Sequence, residues 1–184
     1  LIISYNWDGT IRWAWESIVI TFTENGIGTF TLENDNWITQ LGVQVTNIDT
    51  TPPSANIRYS TIYPTNGNVT ATLINPTETI EIIEPAWWSA EYEFTDNWTF
   101  TFVIEDRAWN RAEIPAAVDR IDREAPTAEV FYSTEQVTSW NVIASIWAFT
   151  KPGTVVVNNS WSTTYTFTKN WEFTFLIEDQ LWNQ

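Results

Sequence analysis

The sequence predicts an all-β protein built as a tandem array of antiparallel β-sandwiches, and three observations predict it. Strand-forming residues are plentiful: the 184 residues include 10 Phe and 6 Tyr, are 43% hydrophobic, and are rich in Thr, Ile and Val. Apolar and polar residues alternate with a period of two, the pattern of strands buried on one face. The chain also repeats itself. Residues 166–179 stand against 93–106, with Phe94, Thr95, Asn97, Trp98, Phe100, Thr101, Phe102, Ile104, Glu105 and Asp106 recurring in order. One constant step, the distance from Trp98 to Trp171, also carries Pro53 to Pro126, Tyr59 to Tyr132, Asn68 to Asn141 and Tyr92 to Tyr165 without a gap.

Taken in order, residues 1–47 read as the C-terminal part of a first unit. Ser17, Phe22, Thr23, Asn25, Phe30, Glu33 and Trp37 precede Ser89, Phe94, Thr95, Asn97, Phe102, Glu105 and Trp109 by one position less than that step. After one inserted position the full step is restored, and Val45, Ile48 and Asp49 match Val118, Ile121 and Asp122. Each boundary is a short extended connector, 49–53 or 122–126, ending in proline, which fixes φ and keeps the residue before it out of the helical region. Joins of that kind are stiff.

Residues 48–120 form the complete unit. Strands are expected around Ile57 and Tyr59, Val69–Leu73, Ile80 and Ile82, Tyr92 and Phe94, Phe100–Ile104, and 114–118, where Pro115 suggests a sheet edge. Short strands with turn signals at intervals of about eight to twelve residues make an antiparallel sandwich the simplest architecture. Val69, Phe94, Phe100, Phe102, Ile104 and Tyr59 are the candidate core. The third unit, 121–184, lacks a counterpart of the last strand, which predicts an open sheet edge. With no Met and no leader, the sequence reads as a fragment from inside a longer protein.

A net charge of −15 repels phosphate backbones and anionic membranes, and argues against nucleic acid as a partner. No run of about 18 apolar residues provides a membrane span. Without cysteine there are no disulfides or thiolate metal sites; without histidine there is no Ser-His-Asp constellation.

Thirteen Trp against six Gly is an unusual balance. Asn97-Trp98 and Asn170-Trp171 take the place of Asn25-Gly26, and Ser139-Trp140 the place of Asn66-Gly67. Asn-Gly is a hairpin signal because both turn residues need positive φ. Trp109, Trp182, Trp87, Trp88, Trp161 and Trp7 also stand where glycine is expected, in or next to turn segments with Asn, Ser or Asp. Some bacteria read UGA as glycine, and most of the thirteen tryptophans are expected to be glycine in the living organism. Two other readings stand beside it: tryptophan as core, and exposed tryptophan as a stacking platform for sugars.

Residues 158–175 and 178–183, read with glycine at Trp161, Trp171 and Trp182, resemble the Ig-like repeats of bacterial cell-surface proteins, as do 125–130 and 64–71. The resemblance covers nearly the whole chain. It implies Ig-like sandwiches in a large secreted or wall-attached protein, extracellular, with spacing or adhesion as the role.

Asp49, Glu105, Asp106, Asn110, Asp122, Glu178, Asp179 and Asn183 recur at unit ends and junctions. Such oxygen-rich sets suit Ca²⁺, which would stiffen a joint. The same residues also cap turns by accepting nearby backbone N–H groups. Neighbouring carboxylates on one strand point to opposite faces and cannot flank one glycosidic bond, so no enzyme is expected. The expected role is a non-catalytic stalk or adhesive repeat, with neighbouring repeats and a host or cell-surface glycan or protein as partners. A carbohydrate-binding adhesin module is the alternative.

Overall fold

The computed structural model describes residues 2–5, 9–14, 17–34, 36–86 and 88–184, and there the chain is all-β. Among the described residues the one helical element is a 3₁₀ turn, Asn159–Trp161. Every strand ladder described is antiparallel.

Among the described residues the best-developed core lies in the middle of the chain. One sheet orders β6 (Asn56–Tyr59), β7 (Val69–Ile74) and β9 (Glu91–Phe94) as β6-β7-β9. The other orders β8 (Glu81–Glu84), β10 (Trp98–Glu105) and β11 (Arg111–Val118) as β11-β10-β8. Period-two alternation sends Val69, Ala71 and Leu73 of β7 to one face, where they meet Phe94, Phe102, Ile104, Ala116 and Val118 in one buried cluster. Val69, Phe94, Phe102 and Ile104 are fully buried, each contributing roughly 1.5 to 3 kcal/mol. Phe100 and Tyr59 are partly buried against them. Pro115 lies in the outer strand β11, where its missing N–H costs no ladder bond. The Tyr59 hydroxyl accepts the Ala117 N–H at 2.9 Å and so links the outer strands of the two sheets.

Before it lie β1 (Ile2–Tyr5), β2 (Gly9–Ala14), β3 (Ser17–Phe22), β4 (Gly26–Asn34) and β5 (Trp37–Val45). They form the sheet β1-β4-β5 and the pair β2-β3. Phe22 meets Phe30 edge-on at 6.4 Å.

After it, β12 (Glu129–Tyr132), β13 (Val142–Trp147) and β15 (Thr164–Phe167) form one sheet, and β14 (Val155–Val156) pairs with β16 (Ile177–Glu178). Side-chain geometry recurs at the repeat step. Tyr92 stacks on Phe100 at 3.8 Å and Tyr165 on Phe173 at 3.9 Å; Phe100–Phe102 and Phe173–Phe175 are edge-on at 5.1 and 5.0 Å. Residues 171–176, counterparts of most of β10, join no ladder. An open cavity of about 310 Å³, lined by Val130, Tyr132, Phe167, Phe173, Phe175 and Ile177 among others, lies beside them.

The hairpin reading of Asn97-Trp98 is wrong. Residues 95–97 carry the chain from β9 in one sheet to β10 in the other, and Trp98 opens β10 in extended conformation. Trp98, Trp140 and Trp171 are absent from the positive-φ residues. Trp88, Trp109, Trp161 and Trp182 do take positive φ, at 56°, 69°, 67° and 64°. Trp7 and Trp87 lie outside the described residues.

Candidate functional site

Both proline-ended connectors are tied by side-chain hydrogen bonds from the preceding and the following parts of the chain. Both prolines, Pro53 and Pro126, are buried. From the N-terminal side, the Asn25 amide donates to the Ile48 carbonyl at 2.6 Å and accepts the Ile48 N–H at 2.8 Å. Asn97 makes the same pair of bonds to Ile121 at 2.7 and 2.8 Å. From the C-terminal side, Asn110 donates to the Asp49 carbonyl at 3.2 Å and Asn183 to the Asp122 carbonyl at 3.1 Å. Just beyond, Ser54 is hydrogen-bonded to Thr77, and Thr127 to Thr150. Each connector is therefore held from both ends. At the second, Arg123 reaches back to the carbonyls of Asn66 and Thr95 and to the Asn68 side chain.

Asp106 and Asp179 anchor the turns that deliver Asn110 and Asn183. Asp106 accepts the N–H groups of Ala108 and Asn110 on one oxygen, at 2.7 and 2.9 Å, and the Asn110 amide on the other at 2.8 Å. Asp179 repeats this with Leu181 and Asn183 at 2.8, 3.0 and 2.9 Å. Both residues are nearly closed off from solvent, at 5% and 6% exposure. Burial alone would raise their carboxyls. Hydrogen bonds from the Asn side chain and the turn N–H groups outweigh it and hold both low, Asp179 at about 2 with the further help of Lys151.

The structure brings Asp49, Asp106 and Asn110 together, and Asp122, Asp179 and Asn183 together. Glu105 and Glu178 are turned to other partners: Glu105 is buried against Arg111 at 2.5 Å, and Glu178 accepts the Gln184 amide at 2.6 Å. One carboxylate was missed. Glu78 joins Asp49 and Asp106, with one oxygen of each within 4.8 Å of the others. Burial, then the charges of Asp106 and Asp49, raise the Glu78 carboxyl. Its counterpart one repeat step on is Lys151, whose ammonium donates to both Asp122 oxygens at 2.7 and 2.8 Å, to Asp179 at 3.1 Å and to the Glu124 carbonyl at 2.5 Å. The Lys151 bond lowers Asp122, and Asp122 in turn raises Lys151. The signal was present in the sequence as a reversal of charge at matching positions, Glu78 against Lys151.

Chemically, the first set is an all-oxygen anionic cluster suited to a hard cation, and in the second one ammonium offsets half the charge of two carboxylates. Turn capping by Asp106 and Asp179 is realised in the structure. Compared with known proteins, the chain matches no family model, no curated protein sequence and no solved structure.

Proposed function

We propose that the chain is a non-catalytic stalk of tandem Ig-like β-sandwiches, divided at 1–47, 48–120 and 121–184, from the outside of a bacterial cell. In this reading the stalk spaces or displays other parts of a larger surface protein. The observation that carries it is the double clamp on each connector: Asn25 and Asn110 on 48–49, Asn97 and Asn183 on 121–122. A connector tied to both neighbours over so few residues leaves little room for bending, as a spacer needs. The resemblance to bacterial surface repeats supports the extracellular setting.

Small-angle scattering of the whole chain tests it. A rod-like profile is expected, and N25A/N97A should lower its longest dimension while leaving the cross-section unchanged. A compact wild-type profile, or one that the double substitution does not alter, would overturn the stalk.

The alternative, a glycan-binding module, has one observation in its favour. Trp88, Trp109, Trp161 and Trp182 expose between 73% and 79% of their surface. Saturable quenching of tryptophan fluorescence by a glycan would favour it.

A further inference from the structure

The clasps on the two connectors match in geometry and differ in chemistry. Asn25 is followed by Gly26, whereas Asn97 is followed by Trp98. The backbone nitrogen after an asparagine can attack that residue's own side-chain amide, and glycine, with no Cβ to crowd the approach, hinders the attack least. Trp98 sets a bulky side chain there instead. Asn25 is exposed, and its amide holds the Ile48 carbonyl at 2.6 Å and the Ile48 N–H at 2.8 Å. Among the described residues, these two bonds are what ties the first connector to the chain before it. The second connector has reinforcement: Arg123 reaches back to the Asn66 and Thr95 carbonyls and the Asn68 side chain, and Lys151 donates to Asp122 from the following part. One repeat step earlier their places are taken by Thr50 and Glu78, and neither is a cation.

We propose that Asn25 is a site of spontaneous deamidation, and that this reaction unfastens the first connector while the second stays fastened. The Gly26 nitrogen bonds to the side-chain carbonyl carbon of Asn25, and the amide nitrogen leaves as ammonia with the Gly26 proton. The product is a cyclic succinimide. Water then opens the ring at one carbonyl or the other, giving aspartate or isoaspartate. The balance is amide plus water to acid plus ammonia, with nothing oxidised or reduced. Attack requires the side chain to leave Ile48, so it occurs during the local openings that an exposed contact undergoes. A clasp that has reacted no longer closes as before. Its NH₂ donor has become a second carboxylate oxygen, which meets the Ile48 carbonyl as acceptor against acceptor. Isoaspartate also lengthens the backbone by one methylene just before β4. At the other Asn-Gly pair, Asn66-Gly67, the chain meets the second connector through the Asn66 carbonyl, so the same reaction there removes no clasp.

The reaction and its effect are both read at single residues, independently of the shape that scattering reports. Ageing of the full chain in warm, mildly alkaline buffer, followed by peptide mass spectrometry, should show Asn25 converting at least about tenfold faster than Asn97. W98G should bring Asn97 into the range of Asn25, and G26A should slow Asn25 by a similar factor. Alanine is allowed at the extended start of β4, and far-UV circular dichroism checks that each variant is folded. N25D supplies the product directly. Its Ile48 amide should exchange hydrogen at least about tenfold faster than in the wild type, and aged wild type should contain a matching fast-exchanging fraction, which serves if N25D does not fold. Asn25 lasting as long as Asn97, folded G26A and W98G leaving both rates unchanged, or Ile48 exchanging at the unaged rate once position 25 is acidic would each overturn the proposal.

Discussion

Tryptophan at positive φ is the sharpest conflict between residue type and backbone in this chain. Trp109 and Trp182 occupy matching places in the turns capped by Asp106 and Asp179, and Trp88 and Trp161 form a second matched pair. An L-residue in the left-handed region costs roughly 1 to 2 kcal/mol, while glycine gives back part of that through its freer unfolded chain. W109G and W182G should therefore each stabilise by about 1 kcal/mol in urea unfolding. W109A keeps the Cβ and is the control: equal stability in W109A and W109G would remove strain as the cause. UGA codons at these four positions would make glycine the native residue; UGG would rule that out. The same turns set an acid limit. Asp179 falls from an ordinary 3.8 to about 2, so its contribution is fully present above pH 3.8 and is lost as pH falls through about 2. D179N should flatten that part of the acid limb in urea midpoints measured across it.

Strands in this chain are governed by their neighbours as much as by their own pattern. β10 and its counterpart share the alternation Phe-Thr-Phe, yet β10 is paired along its whole length by β11, whereas 171–176 has no ladder. Tyr59 reaches the Ala117 N–H of β11 and is half-buried; Tyr132 is 52% exposed. Appending a copy of residues 112–118 after Gln184 should supply the missing partner, giving amides of 171–176 strong protection from hydrogen exchange. In the complete core, F102A should cost about 3 to 5 kcal/mol, read from chemical unfolding. The alternating segments were legible because period two names the buried face directly. The role of Asn25 and Asn97 was not. Asn followed by Gly in sequence signals a hairpin, and nothing local shows that the strands on either side belong to different sheets, freeing the amide to grip Ile48 or Ile121.

Across the whole molecule, the repeat step was legible from identity alone, and it located both connectors. The membership of the two corners was legible only in part. Asp49, Asp106 and Asn110 fall together, but recurrence at the unit ends did not show that Glu105 turns away from them to Arg111. Glu78 comes from a loop far from both in sequence, and only folding shows that it meets them. Removal of the Asn97 clasp in N97A exchanges two connector bonds for solvent, and should lower stability by about 1 to 3 kcal/mol while loosening the second joint in scattering.

The grip on each connector has a mechanical corollary. A tether with slack between its beads first straightens under load and resists little. Here Ile48–Asp49 and Ile121–Asp122 are fastened to the bodies on either side, so hardly any length is held in reserve. In the stalk proposed above, tension would pass directly from one unit to the next, and the chain would lengthen in discrete jumps as single units gave way.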